Sequence, residues 1–407
     1  MTNEARNRGK ILMLGGSRLQ VPAIRAAQSL GFEVVCADYD PHAVGFEIAD
    51  SWSLTSTLDV DAVESLARRE QVDFVITSTS DAPVWVAALV SERLGLPTGI
   101  SSRDAVCATQ KDEMRARLAQ HDVPMPEHIA CSNGREFARA IGHFGYQCIA
   151  KPADAAASRG VRLISLDDKE RDIQDLFDEF ARFSRKGIVM VEECVHGPEV
   201  SVEAMTVDGK TTVLTVTDKL TTEPPFFVEL GHSEPSMLPC EIQQEIREIT
   251  RRVVDAIGIV SGPSHTEMIV TASGPKVIET AARLGGDFIT SKLVPLSTGV
   301  DFVRGSVAVA LGMSYDFTPK VDQGSAIRFI TEKHPGVIEA VHVLEDETFS
   351  NDVEEMELYL ATGDTIETPH SSNDRIGHVI CCGATAQEAI AKAEKALNAI
   401  QVDIVPR

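Results

Sequence analysis

The first hundred residues alternate between apolar runs and segments with helical spacing. The runs KILMLGG, FEVVCADYD and VDFVITS predict strands, and VPAIRAAQSLG and VDAVESLARREQ between them predict helices. Strands that alternate with helices indicate a parallel sheet with crossover helices. Residues 1–105 are therefore predicted to form an N-terminal parallel α/β domain.

The middle of the chain has a different pattern. A turn-rich stretch, GLPTGISSRDAVCATQ, leads into a charged helix that starts near Lys111, and short strands, hairpins and one helix, DIQDLFDEFARF, follow over about 127–207. A long helix over 242–256 then precedes another hairpin. These elements predict a second domain over 106–300, with a small subdomain at about 127–207.

Residues 301–407 form a third region. It ends in a predicted strand, IGHVICCGA, and a predicted helix, AQEAIAKAEKALNAI, which indicate a C-terminal α+β domain packed on the second domain. The segment TTEPPFFVELGHSEPSMLP, rich in proline and polar residues, is the part of the chain nearest to a flexible loop. The predicted fold class is thus α/β and α+β.

Two glutamates in the second domain face each other in the predicted hairpin. HTEMIVT and PKVIETA are β-prone runs joined by Ala-Ser-Gly, and a three-residue loop over 272–274 pairs Glu267 with Glu279. Directly opposed like charges destabilise a sheet, so a cation between the carboxylates would explain the pair. Magnesium fits because it is commonly held by one or two carboxylates and substrate phosphates. The alternative is two exposed surface glutamates.

The residues after Glu279 favour the metal site. The continuation E-T-A-A-R-L-G-G places Arg283 four residues past the acid and Gly286 at its end. A cation and glycines beside two carboxylates are expected where a phosphate and an anionic substrate meet. This block resembles the metal-binding end of the ATP-grasp superfamily.

Other motifs match that superfamily in its order along the chain. Lys111 in ATQKDEM and Lys151 in CIAKPADAAASRGV resemble its two lysines, and AAASRGV, with Ser158, resembles the flap that covers phosphate, although alanines stand where glycine is frequent. In VMVEECVHGPEVSVE, Glu192 and Glu199 are seven residues apart, as in the adenine and ribose strand.

The resemblance implies an ATP-grasp fold, whose lid is the subdomain at about 127–207, and a set of roles. Glu192 would take the adenine amine, Glu193 and Val195 would read the ring edge, and Glu199 would hold the ribose hydroxyls. ATP and two Mg²⁺ ions, with Mn²⁺ as an alternative, are the implied cofactors. Lys111, Lys151 and Ser158 would contact phosphate, and Glu267 and Glu279 would hold the metal.

The metal motif also indicates a branch of the superfamily. Many members have Glu-x-Asn, whereas Ala281 stands here two residues after the second acid. The form E-x-x-x-R-x-x-G, with ELGHSEPSMLP upstream, is similar to L-amino-acid ligases of the bacilysin-synthetase and dapdiamide-synthase kind. By that match Glu229 and His232 line the amino-acid site.

The implied chemistry is amide formation through an acyl phosphate, with ADP and phosphate released, in peptide natural-product (antibiotic) or amino-acid metabolism. Arg283 would stabilise the acyl phosphate and the tetrahedral oxyanion, with Lys151 assisting at the phosphoryl group. Gly286 and Asp287 would line the acceptor side, and the polar Asp287 hints at a substrate that is not purely small and apolar.

Composition limits the partners. Hydrophobic residues make up 43% of the 407-residue chain and charged residues 24%, as in soluble globular proteins, and the net charge of −23 disfavours nucleic-acid and membrane-surface binding. An apolar run near 18 residues, a signal-peptide core and zinc-type cysteine spacing are all lacking. Small amino-acid-like substrates, a cytoplasmic location and, by analogy with family members, a homodimer are the resulting expectations.

Three other functions stay open at this point. A purine-pathway carboxylate ligase keeps the fold, but Ala281 speaks against it. A nucleotide-binding protein without ligase activity is supported only by the alanine-rich flap. A nicotinamide oxidoreductase would use Gly15, Gly16 and Asp38, but the full G-x-G-x-x-G spacing is absent.

Overall fold

The computed structural model describes residues 8–155, 158–332, 334–344 and 352–406. Its strands are β1 (Lys10–Leu14), β2 (Glu33–Asp38), β3 (Ser51–Leu54), β4 (Phe74–Ile76), β5 (His128–Cys131), β6 (Cys148–Pro152), β7 (Arg162–Ile164), β8 (Val189–Glu193), β9 (Glu199–Val207), β10 (Lys210–Thr221), β11 (Glu229–Glu234), β12 (Gly262–Thr271), β13 (Gly274–Ala281), β14 (Gly324–Ile330), β15 (Gly336–Val343), β16 (Val353–Leu358), β17 (Thr365–Ile366), β18 (Gly377–Gly383) and β19 (Ile400–Pro406). Its α-helices are α1 (Val21–Ser29), α2 (Val60–Glu70), α3 (Ala82–Leu94), α4 (Ser102–Ala105), α5 (Lys111–Gln120), α6 (Gly134–Phe144), α7 (Ile173–Ala181), α8 (Cys240–Ile257), α9 (Val294–Thr298), α10 (Phe302–Ala310) and α11 (Ala386–Asn398).

The N-terminal part is the predicted parallel sheet with crossover helices. Its strand order is β3-β2-β1-β4, and all three pairings are parallel. The apolar runs that predicted β1 and β2 are buried and the one that predicted β4 is partly buried, whereas the edge strand β3 is half exposed and has no apolar run to reveal it. Helix α1 of this part packs on α10.

A four-stranded antiparallel sheet, β5-β8-β6-β7, forms the small subdomain. Two helices, α6 and α7, pack on it around a core that includes Phe137, Phe177 and Phe180. The prediction of one helix here was wrong, because α6 also forms. Its first turn is capped by the side chain of Asn133, which accepts a hydrogen bond from the backbone N–H of Glu136.

An eight-stranded sheet forms most of the remainder, in the order β13-β12-β9-β10-β11-β14-β18-β16, and a separate antiparallel sheet has the order β17-β15-β19. Helix α8 packs beside β10, β12 and β13, and α11 packs on β14 and β18. Strand β9 belongs to this sheet, so we propose that the lid ends before β9 rather than near residue 207. Three strands after residue 300, β14, β18 and β16, extend the eight-stranded sheet, so the proposed C-terminal domain shares this sheet with the proposed second domain.

The segment TTEPPFFVELGHSEPSMLP is only partly a loop. Its central residues form β11, which pairs with β10 on one side and β14 on the other. The prediction of a flexible loop was therefore wrong for β11, because two neighbouring strands satisfy its backbone. Among the described residues no single helix is long and apolar enough to cross a membrane, and only one helix pair, bent by 115°, passes the same test of length and composition.

Candidate functional site

One cavity of about 680 Å³ is lined by the residues that the sequence predicted for the functional site. It lies between the small sheet and the large sheet, and its lining also includes residues from the loop after β17. All fourteen predicted site residues line it: Lys111, Lys151, Ser158, Glu192, Glu193, Val195, Glu199, Glu229, His232, Glu267, Glu279, Arg283, Gly286 and Asp287. A second cavity of about 280 Å³ is mostly apolar and contains no titratable side chain among its lining residues, so the larger cavity is the candidate site.

The hairpin β12–β13 places the two predicted metal ligands opposite each other. Glu267 pairs with Glu279, as predicted, although the loop has two residues rather than three, since Thr271 pairs with Gly274. A β-bulge next to Glu267 leaves Ile278 without a paired residue on β12. This shift of one residue places Glu267 opposite Glu279 again. The predicted loop length was thus wrong, and a β-bulge compensates for it.

Each of these carboxylates has a lysine partner. The Nζ atom of Lys111 donates to Glu279 Oε1 at 2.8 Å, and that of Lys219 donates to Glu267 Oε2 at 2.9 Å. Burial disfavours a charged Lys111, but the Glu279 carboxylate outweighs burial and raises the pKa of this amine. The site therefore balances two opposed acids with two ammonium groups.

Lys219, which was not predicted from the sequence, contacts three carboxylates that have different predicted roles. Its Nζ atom lies 2.6 Å from Glu199, 2.9 Å from Glu267 and 3.8 Å from Glu229. Burial opposes its charge, but the three carboxylates outweigh burial and raise its pKa well above the ordinary value. The proposed ribose acid, metal ligand and substrate acid thus meet at one cation.

Lys151 belongs to a second buried charge cluster. Its Nζ atom lies 2.8 Å from Glu192, and Arg115 donates to both carboxylate oxygens of Glu192 at 3.0 and 3.1 Å. Burial opposes ionisation of Glu192, yet Arg115 and Lys151 lower its pKa to about 2. Burial lowers the pKa of Lys151 despite this partner.

These contacts suggest a second role for Glu192 beside the predicted one. Both of its oxygens accept hydrogen bonds from protein cations, so we propose that its carboxylate positions Lys151, while its role toward the adenine amine stays a prediction. Arg115 is predictable from its spacing, because it lies four residues after Lys111 and therefore on the same face of α5.

The rest of the predicted adenine strand lies along the same wall. Glu193 forms an ion pair with Lys276 at 2.9 Å, and Val195 lines the cavity. Ser158 has a left-handed backbone with φ of 56°, and its hydroxyl donates to Glu229 at 3.3 Å. The flap alanines at 156 and 157 lie outside the described residues.

The substrate end of the cavity contains His232 and Asp287, two of the predicted substrate residues. His232 Nε2 lies 3.2 Å from Asp287, and Arg375 makes two hydrogen bonds to the same carboxylate, at 2.7 and 2.6 Å. Burial opposes ionisation of Asp287, but Arg375 and then His232 hold its pKa well below the usual range. Glu229 accepts a short hydrogen bond from Ser372.

Arg283 lines the same cavity as the predicted metal ligands and the predicted substrate residues. Its Nε atom donates to Asp81 at 2.7 Å, and Asp81 precedes the first residue of α3. Neither Asp81 nor Arg375 carried a signal in the sequence, because each is more than 85 residues from its partner.

A buried histidine, His265, contacts the predicted metal ligand Glu267. His265 Nδ1 lies 2.6 Å from Glu203, and its Nε2 lies 3.2 Å from Glu267. Burial lowers the pKa of His265, but Glu203 and Glu267 outweigh burial and raise it to about 9. This contact orients the Glu267 carboxylate toward the cavity.

The donor set of the hairpin fits magnesium. Two opposed carboxylates offer oxygen ligands, and Lys111 and Lys151 are point charges of the kind that bind phosphate oxygens. Glu355, Glu357 and His378 form a separate acid–histidine group, but Lys292 pairs with the first and Arg18 with the second.

Two regions of the chain match models of known protein families. The ATP-grasp domain model matches residues 144–291, and the model of L-amino acid ligase C-terminal domain 2 matches residues 328–405. The L-arginine-specific L-amino acid ligase of Bacillus subtilis is 21% identical over 75% of this chain and 74% of its own length.

Two further similarities bear on the fold and on the alternatives. The crystal structure of an L-amino acid ligase from Bacillus licheniformis superposes with a TM-score of 0.81 at 19% identity and covers 98% of this chain and 99% of its own. The formate-dependent phosphoribosylglycinamide formyltransferase of Burkholderia pseudomallei is 25% identical to this chain. The aligned region covers 61% of this chain and 63% of the formyltransferase. The predicted ATP-grasp fold is therefore confirmed.

Proposed function

Because the chain combines an ATP-grasp domain with the C-terminal domain of L-amino acid ligases, we propose that it is an ATP-dependent carboxylate–amine ligase that joins two amino-acid-type substrates. The observation that carries this proposal is that one cavity is lined both by the opposed pair Glu267 and Glu279 with its lysines and by Glu229, His232 and Asp287.

The proposed reaction has two steps at this cavity. A substrate carboxylate oxygen attacks the γ-phosphorus of ATP, and ADP leaves with the bond between the β- and γ-phosphates broken. The amine of the second substrate then attacks the acyl carbon, loses a proton, and expels inorganic phosphate to leave an amide. Both steps place negative charge between the two ends of the cavity.

The residues of this chain would act on that charge. Lys111 and Lys151 would hold phosphate oxygens, and Glu192 with Arg115 would fix the position of Lys151. Arg283, held by Asp81, would stabilise the acyl phosphate and the oxyanion that follows. Magnesium on Glu267 and Glu279 would offset charge on the transferring phosphoryl group.

The nucleotide would lie along β8 and the following residues. Glu193 and Val195 border the part of the cavity proposed for adenine, and Glu199 borders the part proposed for ribose. Since the Glu192 carboxylate is engaged by protein cations, we propose that backbone acceptors of this segment also contact the adenine amine.

The test is a turnover screen with purified protein, ATP, MgCl₂ and pooled pairs of amino acids. We expect ADP release that depends on two substrates, with an amide product detected by mass spectrometry. Glu279→Gln should lower turnover by at least about 100-fold, because it removes a charged ligand of the metal. The matched control is Glu248→Gln on the exposed face of α8, which should leave turnover unchanged.

Absence of any amide product across the screen, in protein that still binds ATP and magnesium, would overturn the amino-acid assignment. Replacing Mg²⁺ by Mn²⁺ in the same assay tests the alternative ion. The pathway, peptide natural-product or amino-acid metabolism, follows from the substrates that the screen identifies.

A purine-type carboxylate ligase is the second candidate. The similarity to the formyltransferase favours it, and Ala281 in place of the usual asparagine argues against it. ADP release with glycinamide or aminoimidazole ribotides, and not with amino acids, would select this candidate.

A further inference from the structure

Arg375 brings the C-terminal region into the substrate end of the cavity. It precedes β18 and lies in the part of the chain that matches the C-terminal domain of L-amino acid ligases. Its guanidinium is 3.7 Å from the ring centroid of Phe329, and its side chain is only 9% exposed. Packing on Phe329 and the bidentate contact with Asp287 hold the group rigidly at the cavity wall.

The guanidinium retains hydrogen-bonding capacity. Its Nε donates to the carbonyl of Ser372 at 2.6 Å, and one hydrogen from each terminal nitrogen goes to Asp287. Arginine has five N–H donors, so two remain after its three hydrogen bonds to the described residues. Asp287, by contrast, already receives both contacts from Arg375 and one from His232.

His232 presents the complementary group. Because a carboxylate only accepts hydrogen bonds, the Nε2 of His232 carries the hydrogen toward Asp287. In the neutral ring Nδ1 is then an acceptor, and this buried atom has no hydrogen-bond partner in the part of the chain that the structure describes. The wall therefore offers one acceptor at His232 and two donors at Arg375, both fixed by Asp287.

We propose that Arg375 is a specificity-determining residue that selects a substrate whose side chain carries an oxygen acceptor, either a carboxylate or a carboxamide. This inference rests on the proposed ligase function. The amine of such a substrate donates to His232 Nδ1, while its side-chain oxygen accepts from Arg375. A cationic side chain meets a like charge there, and an apolar one leaves buried donors without a partner.

The substrate panel uses side chains of similar length. Glutamate and glutamine carry acceptors, methionine is apolar, and lysine is cationic. ADP release is measured with each amino acid and a pooled partner, and binding of each is measured by calorimetry to protein loaded with Mg²⁺ and ADP. We expect glutamate or glutamine to exceed methionine and lysine by at least about 10-fold in kcat/KM and in affinity.

Three variants test whether the substrate preference depends on Arg375. Arg375→Met should reduce the preference for glutamine over methionine to less than about threefold, and Arg375→Lys should restore part of it. The double variant Arg375→Met with Asp287→Asn avoids a buried carboxylate without a partner, so it should show the same loss of preference even if the single variant folds poorly. The control Arg251→Met removes a surface arginine that pairs with Glu248, and its substrate profile should not change.

The outcomes separate this inference from the proposed function. Turnover that favours methionine or lysine, or an acceptor preference that survives in both methionine variants, overturns the selection by Arg375 and leaves the ligase intact. Arg375-dependent binding of glutamate or glutamine without turnover supports the selection and overturns the ligase. Neither binding nor turnover with any amino acid overturns both. Unchanged affinity for Mg²⁺ and ADP in every variant shows that the nucleotide end is intact.

Discussion

At the scale of single residues, Lys219 is the centre of charge in the cavity. Three carboxylates with different proposed roles surround it, and its amine is almost fully buried, with 4% of its side chain exposed. The carboxylates are partly open to the cavity, between 14% and 23% exposed. Water screens part of their mutual repulsion, but without Lys219 the remaining repulsion would destabilise the fold.

Lys219→Met should therefore lower the free energy of unfolding by about 1–3 kcal/mol, since it leaves the three acids without a counter-charge. Millimolar MgCl₂ should recover part of the loss, because a divalent cation can take the same place between Glu199, Glu229 and Glu267. Urea denaturation with and without MgCl₂ measures both effects. Lys210→Met, at the exposed start of β10, is the matched control, and equal stability losses in the two variants would contradict this role.

Glu234 is a buried acid outside the proposed chemistry. It lies at the end of β11 and accepts hydrogen bonds from Thr217 at 2.8 Å and Ser297 at 2.7 Å. Burial raises its pKa to about 8, and the charge of Glu203 adds to the shift. In the unfolded chain the same carboxyl titrates near its ordinary value of 4.5.

This difference links the protonation of Glu234 to stability. A folded pKa above the unfolded one gives a contribution that is complete below about pH 4.5 and is lost as the pH rises through about 8. Over that window, the titration of Glu234 should lower the unfolding free energy of the wild type by up to about 1.4 kcal/mol per pH unit. Glu234→Gln stays neutral, so this part of the pH dependence should be absent in the variant. Urea denaturation at pH 5.5, 6.5 and 7.5 tests it, and parallel pH profiles for variant and wild type would exclude the linkage.

At the scale of elements, the hairpin β12–β13 shows which structural features can be predicted from the sequence pattern and which cannot. Alternation and turn residues identified both strands, and the two glutamates were correctly paired. The loop length was wrong because a tight turn and a bulge at Ile278 offset each other, and no residue pattern distinguishes that combination from a longer loop. Pairing was predictable because side chains must alternate, whereas bulges depend on tertiary contacts.

Gly285 allows a test at this scale, because it packs tightly behind the hairpin. A Cβ atom there would lie 2.7 Å from Glu203 Oε1 and 2.8 Å from His265 Nδ1, whereas at Gly286 it would meet only Leu19, at 3.9 Å. Gly285→Ala should lower the unfolding free energy by about 1–3 kcal/mol, and Gly286→Ala should leave it nearly unchanged. Chemical denaturation of both variants measures this, and equal effects would contradict the packing described for Gly285.

Strand β11 shows the limit of sequence patterns. Its residues ELGHSE mix charged, polar and glycine positions, and they form a central strand because β10 and β14 provide hydrogen bonds from both sides. That environment comes from strands distant in sequence, so local composition indicated a loop. The polar residues of β11 that misled the prediction are those that line the cavity, Glu229 and His232.

At the scale of the whole molecule, the large sheet brings together the two parts that match family models. Strands from the ATP-grasp match and strands after residue 324 are neighbours in one sheet, and the loop before β18 thereby reaches the cavity. The predicted site residues came from ordered motifs between Lys111 and Asp287. Arg375 could not be predicted, because its position depends on how the C-terminal strands join this sheet.

The homodimer stays a prediction, and light scattering on the purified protein would test it. At the cavity, we propose that a substrate carboxylate is activated by phosphorylation between Arg283 and the predicted metal ligands Glu267 and Glu279.

Oxygen-isotope transfer measures that claim most directly. A substrate pair that supports turnover is supplied with both carboxylate oxygens of the activated amino acid labelled with ¹⁸O, and the products are analysed by mass spectrometry. Activation through an acyl phosphate is expected to place one ¹⁸O in each inorganic phosphate and to leave the other in the amide. Unlabelled phosphate, or label in AMP instead, would contradict the account.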